Sequence, residues 1–322
     1  MTVEPGSRRH RLSIVIPMLN EEASLPALFA ALRHLRDSQS DFSCEFILVD
    51  DGSWDRTAEA LDAAAADPDF KIIHLSRNFG QQAAITAGID HADGDALVIA
   101  DADLQDPLTL VPEMMRKFAE GYDVVNSVRT ERQGESFYKR RTAALFYWLM
   151  GRLTSSRLPI LQGDFRLMSR RVVEVLKRLP ERHRYLRGLV AWAGFKQTAI
   201  PYERPVRRAG ETHYSNSRMI ALALDAILSF SWVPLRAAFL LGLLCMALSA
   251  TFLFVNLLLW IFTDLPVRGW LSLASLIVLM GGLNLVMAGV MGEYVGRIFD
   301  ESKGRPRYIV SATCNLGGPS RP

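Results

Sequence analysis

Two aspartates, Asp101 and Asp103, follow an apolar run at residues 96–100 and are separated by a single alanine, Ala102. If the run forms a strand, both carboxylates lie at its carboxyl end, and alternate residues of a strand point to the same side. Mg²⁺ in proteins is typically held by one or two carboxylates together with substrate phosphates. Aspartates in turns more commonly cap local structure. The strand-end position favours a metal site that, assisted by Gln105, would bind a diphosphate.

A second pair of acids, Asp50 and Asp51, follows another apolar run and precedes Gly52 and Ser53. Glycine permits a tight turn at this point, and Ser53 or Asp55 could cap the next helix. A turn explains two adjacent acids less readily, because like charges repel unless a cation or a donor lies nearby. We therefore expect one of these carboxylates to accept a hydrogen bond from a nucleobase N–H.

Charged residues at two further places are candidates for the functional site. Arg77 and Asn78 end a third apolar run, where a simple turn and a contact with a diphosphate are both compatible with the sequence. Asp164 and Arg166 flank Phe165 in a predicted short loop. From the residues alone, a local ion pair is the preferred interpretation of that loop.

Three arginines, Arg204, Arg207 and Arg208, and the polar stretch 210–215 precede an apolar segment at 217–231. That segment is expected to lie along a membrane surface, with an ordinary core helix as the alternative. Basic residues there either contact lipid head groups or receive the phosphate of a lipid ligand.

Short apolar, β-rich runs alternate with helical patterns through the first 130 residues, at 12–16, 46–49, 71–75, 96–100 and 124–128. This rhythm is typical of parallel strands joined by helices, and continuous apolar strands suit a sheet covered on both faces. Ligands of such sheets bind beyond the carboxyl ends of the strands. The sequence therefore predicts an α/β domain with its site where polar residues follow the runs. Further helices are predicted near 138–153 and 171–179.

Two uncharged segments, 237–262 and 270–291, each exceed the roughly 20 residues that a helix needs to cross a hydrocarbon layer. The short connection at 263–268 predicts a transmembrane hairpin with both flanks on one side. Arginine and lysine are concentrated in the flanks, whereas the connection carries Arg268 alone. The positive-inside rule makes both flanks cytoplasmic.

These patterns divide the chain into four predicted parts: a cytoplasmic α/β domain at 1–208, a juxtamembrane loop and interfacial helix at 209–233, two transmembrane helices within 234–292 and a cytoplasmic tail at 293–322. The tail after Thr313 is expected to be disordered. No apolar run precedes Leu12, so the N-terminus does not resemble a cleaved secretory signal.

Charge distribution and cysteine spacing argue against a nucleic-acid-binding protein and against a disulfide-stabilised one. The 322 residues carry a net charge of +3, and the basic residues are concentrated beside the apolar spans. This distribution favours anionic lipid over nucleic acid, which would need a basic patch on a recognisable reading element. The cysteines, Cys44, Cys245 and Cys314, form no CxxC pair and no disulfide framework, which indicates a reducing compartment.

Four ordered blocks resemble the signature of family 2 glycosyltransferases: 15–22 (VIPMLNEE), 49–55 (VDDGSWD), 78–81 (NFGQ) and 101–107 (DADLQDP). Three more blocks are similar to those of the polyprenyl-phosphate glycosyltransferases, the group that contains dolichyl-phosphate mannose synthase and the bactoprenol glucosyltransferases: 163–166 (GDFR), 210–214 (GETHY) and 292–297 (GEYVGR). Several blocks in order are far more specific than any single motif.

The resemblance implies a GT-A fold, an inverting single displacement and Mg²⁺ or Mn²⁺ as cofactor. Together with the residue patterns, it gives four candidate sets. Nucleotide-sugar binding is expected from Pro17, Asn20, Glu22, Asp50, Asp51, Arg77, Asn78, Gln81, Asp101 and Ala102, and metal binding from Asp101, Asp103 and Gln105. Catalysis is expected from Asp164, Arg129 and Arg166, and binding of the acceptor phosphate from Arg207, Arg208, His213, Tyr214 and Ser215.

One position departs from the pattern of the group, in which a lysine often precedes the tyrosine of the block at 210–214. This chain has His213 there. A neutral imidazole would hold a phosphate less firmly at neutral pH.

The resemblance further implies transfer of a hexose to undecaprenyl or another polyprenyl phosphate at the bacterial inner membrane, for an envelope glycan or a lipid modification. UDP-glucose is the first choice of donor, with GDP-mannose, UDP-galacturonate, UDP-aminoarabinose and UDP-GlcNAc as alternatives. A homo-oligomer, a separate flippase and a downstream transferase are the expected partners.

Three other classes of protein are alternatives to this assignment. A processive polysaccharide synthase should carry a Gln-x-x-Arg-Trp motif and more spans, and an oxidoreductase should carry a glycine-rich turn after the first strand. Residues 17–20 supply no such turn. A membrane-bound scaffold that binds nucleotide without turnover is the non-enzymatic alternative. Metal-dependent release of nucleoside diphosphate in the presence of polyprenyl phosphate would separate it from an enzyme.

Overall fold

The structure, a computed structural model, describes residues 9–129, 162–182, 184–202, 233–262 and 269–316. They form two compact units, an α/β unit that includes 306–316 and a helical unit formed by 233–262 and 269–305. The predicted helices at 138–153 and 217–231 and the predicted connection at 263–268 lie outside the described residues.

A single sheet organises the α/β unit, and its described strands have the order β7-β5-β6-β4-β1-β2-β3-β8. Their bounds are β1 His10–Met18, β2 Phe42–Asp50, β3 Phe70–Leu75, β4 Ala96–Ile99, β5 Val124–Arg129, β6 Gln162–Ser169, β7 Gln197–Tyr202 and β8 Val310–Cys314.

Helices connect the strands and form the second unit. They are α1 Leu25–Ser38, α2 Thr57–Ala64, α3 Gln81–Asp90, α4 Val111–Ala119, α5 Arg170–Arg178, α6 Leu186–Trp192, α7 Val233–Phe262 and α8 Trp270–Ser302, with a short 3₁₀ helix at Leu108–Leu110.

The centre of the sheet is parallel, as its apolar strands predict. β1 pairs in parallel with β2 and with β4, and β2 pairs in parallel with β3. Neighbouring side chains along β1 and β2, such as Ile14 with Val15 and Phe46 with Ile47, point to opposite faces and are all fully buried, because both faces of the sheet are covered. This confirms the mostly parallel α/β fold class. All five predicted strand runs are found, and the helix predicted near 171–179 is α5.

One segment was predicted wrongly, and one strand was not predicted. Residues 162–166 were expected to be a loop, but they begin β6, which lies antiparallel between β4 and β5. The unpredicted strand is β8, Val310–Cys314, antiparallel to β3; of the tail expected to be disordered after Thr313, residues 317–322 lie outside the described residues. Both strands exist because an existing strand edge supplies their hydrogen-bond partners, and local sequence patterns do not report such long-range pairing.

Strand directions decide which residues meet. β1, β2, β3, β4, β5 and β7 run the same way, whereas β6 and β8 run against them. The carboxyl ends of the six strands therefore share one edge of the sheet with the amino ends of β6 and β8. We call this edge the polar edge. It carries the residues that follow Met18, Asp50, Leu75 and Ile99, as well as the start of β6 near Asp164.

The helical unit is a pair of antiparallel helices. A Cβ atom built on Gly242 would lie 2.9 Å from Met287 Cε, and the Ser249 hydroxyl contacts Met280 Sδ at 3.8 Å. A step of seven residues forward on α7 thus corresponds to seven residues backward on α8.

By length and composition, one helix within the described residues could cross a membrane, through the 21-residue stretch Leu235–Val255 of α7 with a mean hydropathy of 2.4. α8, which contains the second predicted span, does not meet these criteria over its described residues.

Candidate active site

The loops after β1 and β2 are tied to each other by side chains. The Asn20 N–H donates to Ser53 Oγ at 2.9 Å, and the Trp54 N–H donates to Asn20 Oδ1 at 3.0 Å. Asn20 has a φ of +57°, a left-handed conformation that asparagine tolerates better than most residues. Glu22 accepts from the Arg56 N–H at 3.3 Å. Two residues predicted to bind nucleotide therefore also hold the polar edge in shape.

Asp50 lies buried at the end of β2, and both of its oxygens have partners in the protein. Oδ1 accepts from the Ser53 N–H at 2.9 Å, and Oδ2 lies 3.0 Å from His74 Nδ1. Burial opposes ionisation of the carboxyl, but the hydrogen bonds from His74 and Ser53 outweigh it and hold the pKa of Asp50 below its ordinary value. Asp50 is thus a carboxylate that shapes the turn.

Asp51 ties the end of β2 to the start of α3. Its carboxylate accepts the N–H groups of Phe79 at 2.7 Å and Gly80 at 2.9 Å. Burial raises the pKa of Asp51 in spite of these two donors. The neighbouring Gly52, with a φ of +73°, lies so close to the next loop that a Cβ atom would stand 2.5 Å from the carbonyl carbon of Arg77.

Arg77 and Gln81 occupy the next part of the polar edge. The Arg77 guanidinium stacks over the Phe79 ring at 4.1 Å and donates to the Asn78 carbonyl at 2.9 Å. Gln81, the first residue of α3, donates from Nε2 to Asp101 Oδ1 at 3.0 Å. Gly88 allows this helix to pack directly on Val15 of β1.

Asp101 and Asp103 follow β4 and are both partly exposed, whereas Ala102 between them is buried. No group of three or more His, Cys, Asp or Glu side chains is arranged to hold a metal in the part of the chain that the structure describes. Two accessible carboxylates nevertheless fit Mg²⁺, which completes its octahedron with water and substrate phosphates. The donor set is therefore suited to a cation that arrives with a diphosphate.

The loop that carries these acids folds back on itself. The Gln105 N–H donates to Asp103 Oδ1 at 3.1 Å, and Gln105 itself is buried. Asp106, which the sequence analysis gave no role, is buried and accepts from the Asp101 N–H at 3.2 Å and from the Tyr202 hydroxyl at 3.3 Å. Its position shortly after Asp101 and Asp103 is the sequence feature that could have identified it. The loop shape depends on Asp106.

Asp164, at the start of β6, meets an arginine that the sequence analysis missed. Arg187 on α6 donates from Nε to Asp164 Oδ1 at 2.9 Å and from Nη2 to Oδ2 at 3.0 Å. The antiparallel register pairs Ile99 of β4 with Arg166 of β6. β4 ends at Ile99, two residues before Asp101, and Asp164 stands two residues before Arg166, so the two acids lie near neighbouring strand ends on the polar edge.

Arg166, which is predicted to be catalytic, has a fully buried side chain. Its Nη2 donates to the Gly163 carbonyl at 2.8 Å, and Nη1 is buried without a hydrogen-bond partner among the described residues. Burial lowers the pKa of Arg166 to about 10, so the group is still a cation at neutral pH. Its contacts support the strand that carries Asp164.

The remaining candidate residues are Arg129 and those predicted to bind the acceptor phosphate. Arg129 is the last residue of β5 and pairs in register with Tyr202 of β7, which places its backbone at the polar edge. The candidate acceptor residues Arg207, Arg208, His213, Tyr214 and Ser215 lie outside the described residues.

Comparisons with known proteins agree with this arrangement. The family model for glycosyl transferase family 2 matches residues 13–177. The "Uncharacterized glycosyltransferase YkcC" of Bacillus subtilis is 48% identical, with 96% of each chain covered. The "Bactoprenol glucosyl transferase" of Shigella phage SfV is 38% identical, with 93% of this chain and 98% of the relative covered. A prophage bactoprenol glucosyl transferase homolog of Escherichia coli K12 is 37% identical over the same shares.

Among solved structures, glucosyl-3-phosphoglycerate synthase from Mycobacterium tuberculosis is 20% identical, with a TM-score of 0.44, 71% of this chain and 84% of that chain covered. This similarity is too low to inform on function. The family match and the near full-length relatives confirm the resemblance found in the motifs, together with the GT-A-like α/β sheet that it implies. The chain belongs to glycosyl transferase family 2 and is a glycosyltransferase.

Proposed function

We propose that this glycosyltransferase moves a hexose, with glucose from UDP-glucose as first choice, onto undecaprenyl or another polyprenyl phosphate with inversion. The observation that carries the proposal is the register that pairs Ile99 of β4 with Arg166 of β6, because Asp101 and Asp103 follow the first strand and Asp164 lies at the start of the second. The first group suits a metal-bound diphosphate, and we assign the second to the acceptor side. Relatives named bactoprenol glucosyl transferase are similar over nearly their whole length.

The donor half of the site would use the three loops after β1, β2 and β3 for the nucleotide. When bound, the divalent cation neutralises charge that develops on the departing nucleoside diphosphate. Asp101 and Asp103 would hold it, and Gln81 fixes one oxygen of Asp101. Arg77 lies at the same edge as a cation that could pair with the diphosphate.

The acceptor half needs little proton chemistry. A phosphate monoester has a second pKa of about 6, so its oxygens are largely ionised at neutral pH and need no strong base. Positioning of that oxygen against the sugar should therefore dominate the rate. Asp164 is suited to this role because Arg187 holds both of its oxygens in place. Arg129, Arg207, Arg208 and the residues 213–215 would receive the phosphate.

We further propose that α7 and α8 form a transmembrane hairpin that keeps the α/β unit at the cytoplasmic face of the bacterial inner membrane. Large apolar side chains point outward along both helices, among them Phe239 and Leu244 on α7 and Leu285 and Val286 on α8. Such continuous exposed apolar surface suits lipid better than water. A homo-oligomer, a flippase and a downstream transferase remain expected partners.

A panel of radiolabelled nucleotide-sugars tests the proposal. The full chain in detergent is incubated with undecaprenyl phosphate, Mg²⁺ and one donor at a time, and label is counted in the lipid phase. Undecaprenol, which lacks the phosphate, serves as the matched control acceptor. We expect label from UDP-glucose only when the phosphate is present. Label from GDP-mannose alone would correct the donor, and no label from any donor would refute the acceptor.

A further inference from the structure

Arg187 holds both carboxylate oxygens of Asp164, a geometry that orients a side chain more strictly than a single hydrogen bond does. We propose that Arg187 is a positioning residue for glycosyl transfer, which fixes Asp164 as an orienting carboxylate instead of leaving it free to accept a proton. This inference rests on the proposed function insofar as Asp164 is placed on the acceptor side.

The carboxylate of this pair is the more buried partner. The side chain of Asp164 is 11% exposed, whereas that of Arg187 is 36% exposed. Burial alone would lower the pKa of Arg187, but the hydrogen bonds and charge of Asp164 raise it above its ordinary value. A protonated Asp164 would lose its attraction to the guanidinium. Proton transfer to Asp164 is therefore opposed by the same contact that orients it.

A chain of contacts connects this pair to the donor side of the polar edge. The Leu186 N–H, one residue before Arg187, donates to Gln82 Oε1 at 3.4 Å. Gln82 lies in the first turn of α3, directly after Gln81, whose amide donates to Asp101. The first turns of α3 and α6 are thus linked, with one in contact with Asp101 and the other with Asp164. Arg187 consequently sets the position of Asp164 relative to the donor-side acid.

Burial of the surrounding elements makes this position firm. Leu186, Leu189 and Val190 of α6 are buried, so the helix that carries Arg187 is anchored in the α/β unit. Arg166 stabilises the backbone on the other side of Asp164 through the Gly163 carbonyl. An ordinary structural ion pair would show the same contacts but would affect stability without changing turnover.

A double-mutant cycle separates the two roles. Asp164→Asn, Arg187→Gln and the double variant are compared by kcat, donor KM and thermal unfolding midpoint, with release of nucleoside diphosphate as the rate. Arg187→Lys keeps the charge but cannot donate two parallel hydrogen bonds. Arg178→Gln removes an exposed arginine from the neighbouring α5 and serves as the control.

We expect Arg187→Gln to lower kcat on the order of 10²-fold with donor KM little changed, because a slightly misplaced group costs about this much. Arg187→Lys should recover part of the loss, and the double variant should be no slower than the slower single variant, since residues that act as one unit are not additive. Arg178→Gln should match the wild type.

A wild-type kcat for Arg187→Gln, or losses that multiply in the double variant, would overturn the inference. If Arg187→Gln does not fold, Arg187→Lys decides the matter, because an unchanged kcat there also refutes a positioning role. Failure of the proposed function looks different: undecaprenyl phosphate would not stimulate nucleotide release by the wild type. The double-mutant cycle would then be measured by release of nucleoside diphosphate through hydrolysis, with water as the acceptor.

Discussion

Asp50 and His74 occupy paired positions on the parallel strands β2 and β3, and Asp50 Oδ2 lies 3.0 Å from His74 Nδ1. The other ring nitrogen of His74 lies 3.0 Å from Asp62 Oδ1 on α2. The histidine therefore links the end of β2 to the helix that follows it. Since Asp50 also accepts from the Ser53 N–H, this buried contact supports the turn that follows β2 at the polar edge.

Loss of the Asp50 carboxylate should destabilise the fold itself. Removing one partner of a buried charged pair costs about 3–5 kcal/mol, because the other partner stays buried. We expect Asp50→Ala to lower the free energy of unfolding by an amount near the lower end of this range, since Asp62 still contacts His74. Urea unfolding of the full chain in detergent measures it, with Asp41→Ala on the surface as control. An unchanged midpoint would contradict a structural role for Asp50.

The same residue gives the stability a pH dependence. The pKa of Asp50 is lower in the folded than in the unfolded protein, so its ionised form stabilises the fold above the unfolded value of about 4. This contribution should be lost as the pH falls through the folded pKa. Unfolding midpoints measured from neutral pH down to about pH 3 should fall less steeply in Asp50→Asn than in the wild type. Parallel curves for the two proteins would refute this assignment.

Two glycines at the polar edge should respond differently to alanine. Both have a positive φ, +73° at Gly52 and +96° at Gly80, and such strain costs a side chain about 1–3 kcal/mol. Only at Gly52 would the Cβ collide with backbone, at the Arg77 carbonyl carbon and the Asn78 nitrogen. We expect Gly52→Ala to weaken nucleotide binding and stability more than Gly80→Ala does. Calorimetric titration with UDP and thermal unfolding test this, and equal effects would contradict it.

Asn315 should stabilise the α/β unit from the far end of the sequence. Its Nδ2 donates to the carbonyls of Ala65 at 2.8 Å, Asp67 at 3.2 Å and Phe70 at 2.9 Å. Asp has the same shape but no donor, so Asn315→Asp should cost about 1 kcal/mol at this exposed position. Thermal unfolding compares it with Ser40→Ala, an exposed control. If both variants unfold with the wild type, the β8 tail does not stabilise the unit through this residue.

Strands could be predicted from the sequence where the residues of a single segment show the strand pattern by themselves. Residues 46–49 and 96–100 are apolar throughout because both faces of a parallel strand are covered, and the polar residues after them do share one edge of the sheet. β6 and β8 carried no comparable signal. Gly163 and Asp164 at the start of β6 look like a loop until strands β4 and β5 are present on either side.

The same limit applies to the candidate site. The acids of the polar edge were found from their positions after strands, but His74, which contacts Asp50, and the Phe79 N–H, which Asp51 accepts, lie more than 20 residues away in sequence. Arg187 is separated from Asp164 by 23 positions and lies in a stretch with many other arginines. Only the packing of α6 distinguishes it from its neighbours. The burial of Arg166 is likewise not visible in a short motif.

The most direct test of the account is transfer of radiolabelled sugar to undecaprenyl phosphate by the wild type and by Asp101→Asn/Asp103→Asn, with Asp41→Asn as the matched surface control. Each protein is assayed with Mg²⁺, after chelation with EDTA, and after Mg²⁺ or Mn²⁺ is restored. We predict that the wild type loses transfer on chelation and regains it with the metal. The double variant should be slower by on the order of 10²–10³-fold, because several kcal/mol of charge stabilisation are removed. Undiminished transfer after chelation, or a wild-type rate in the double variant, would contradict the account.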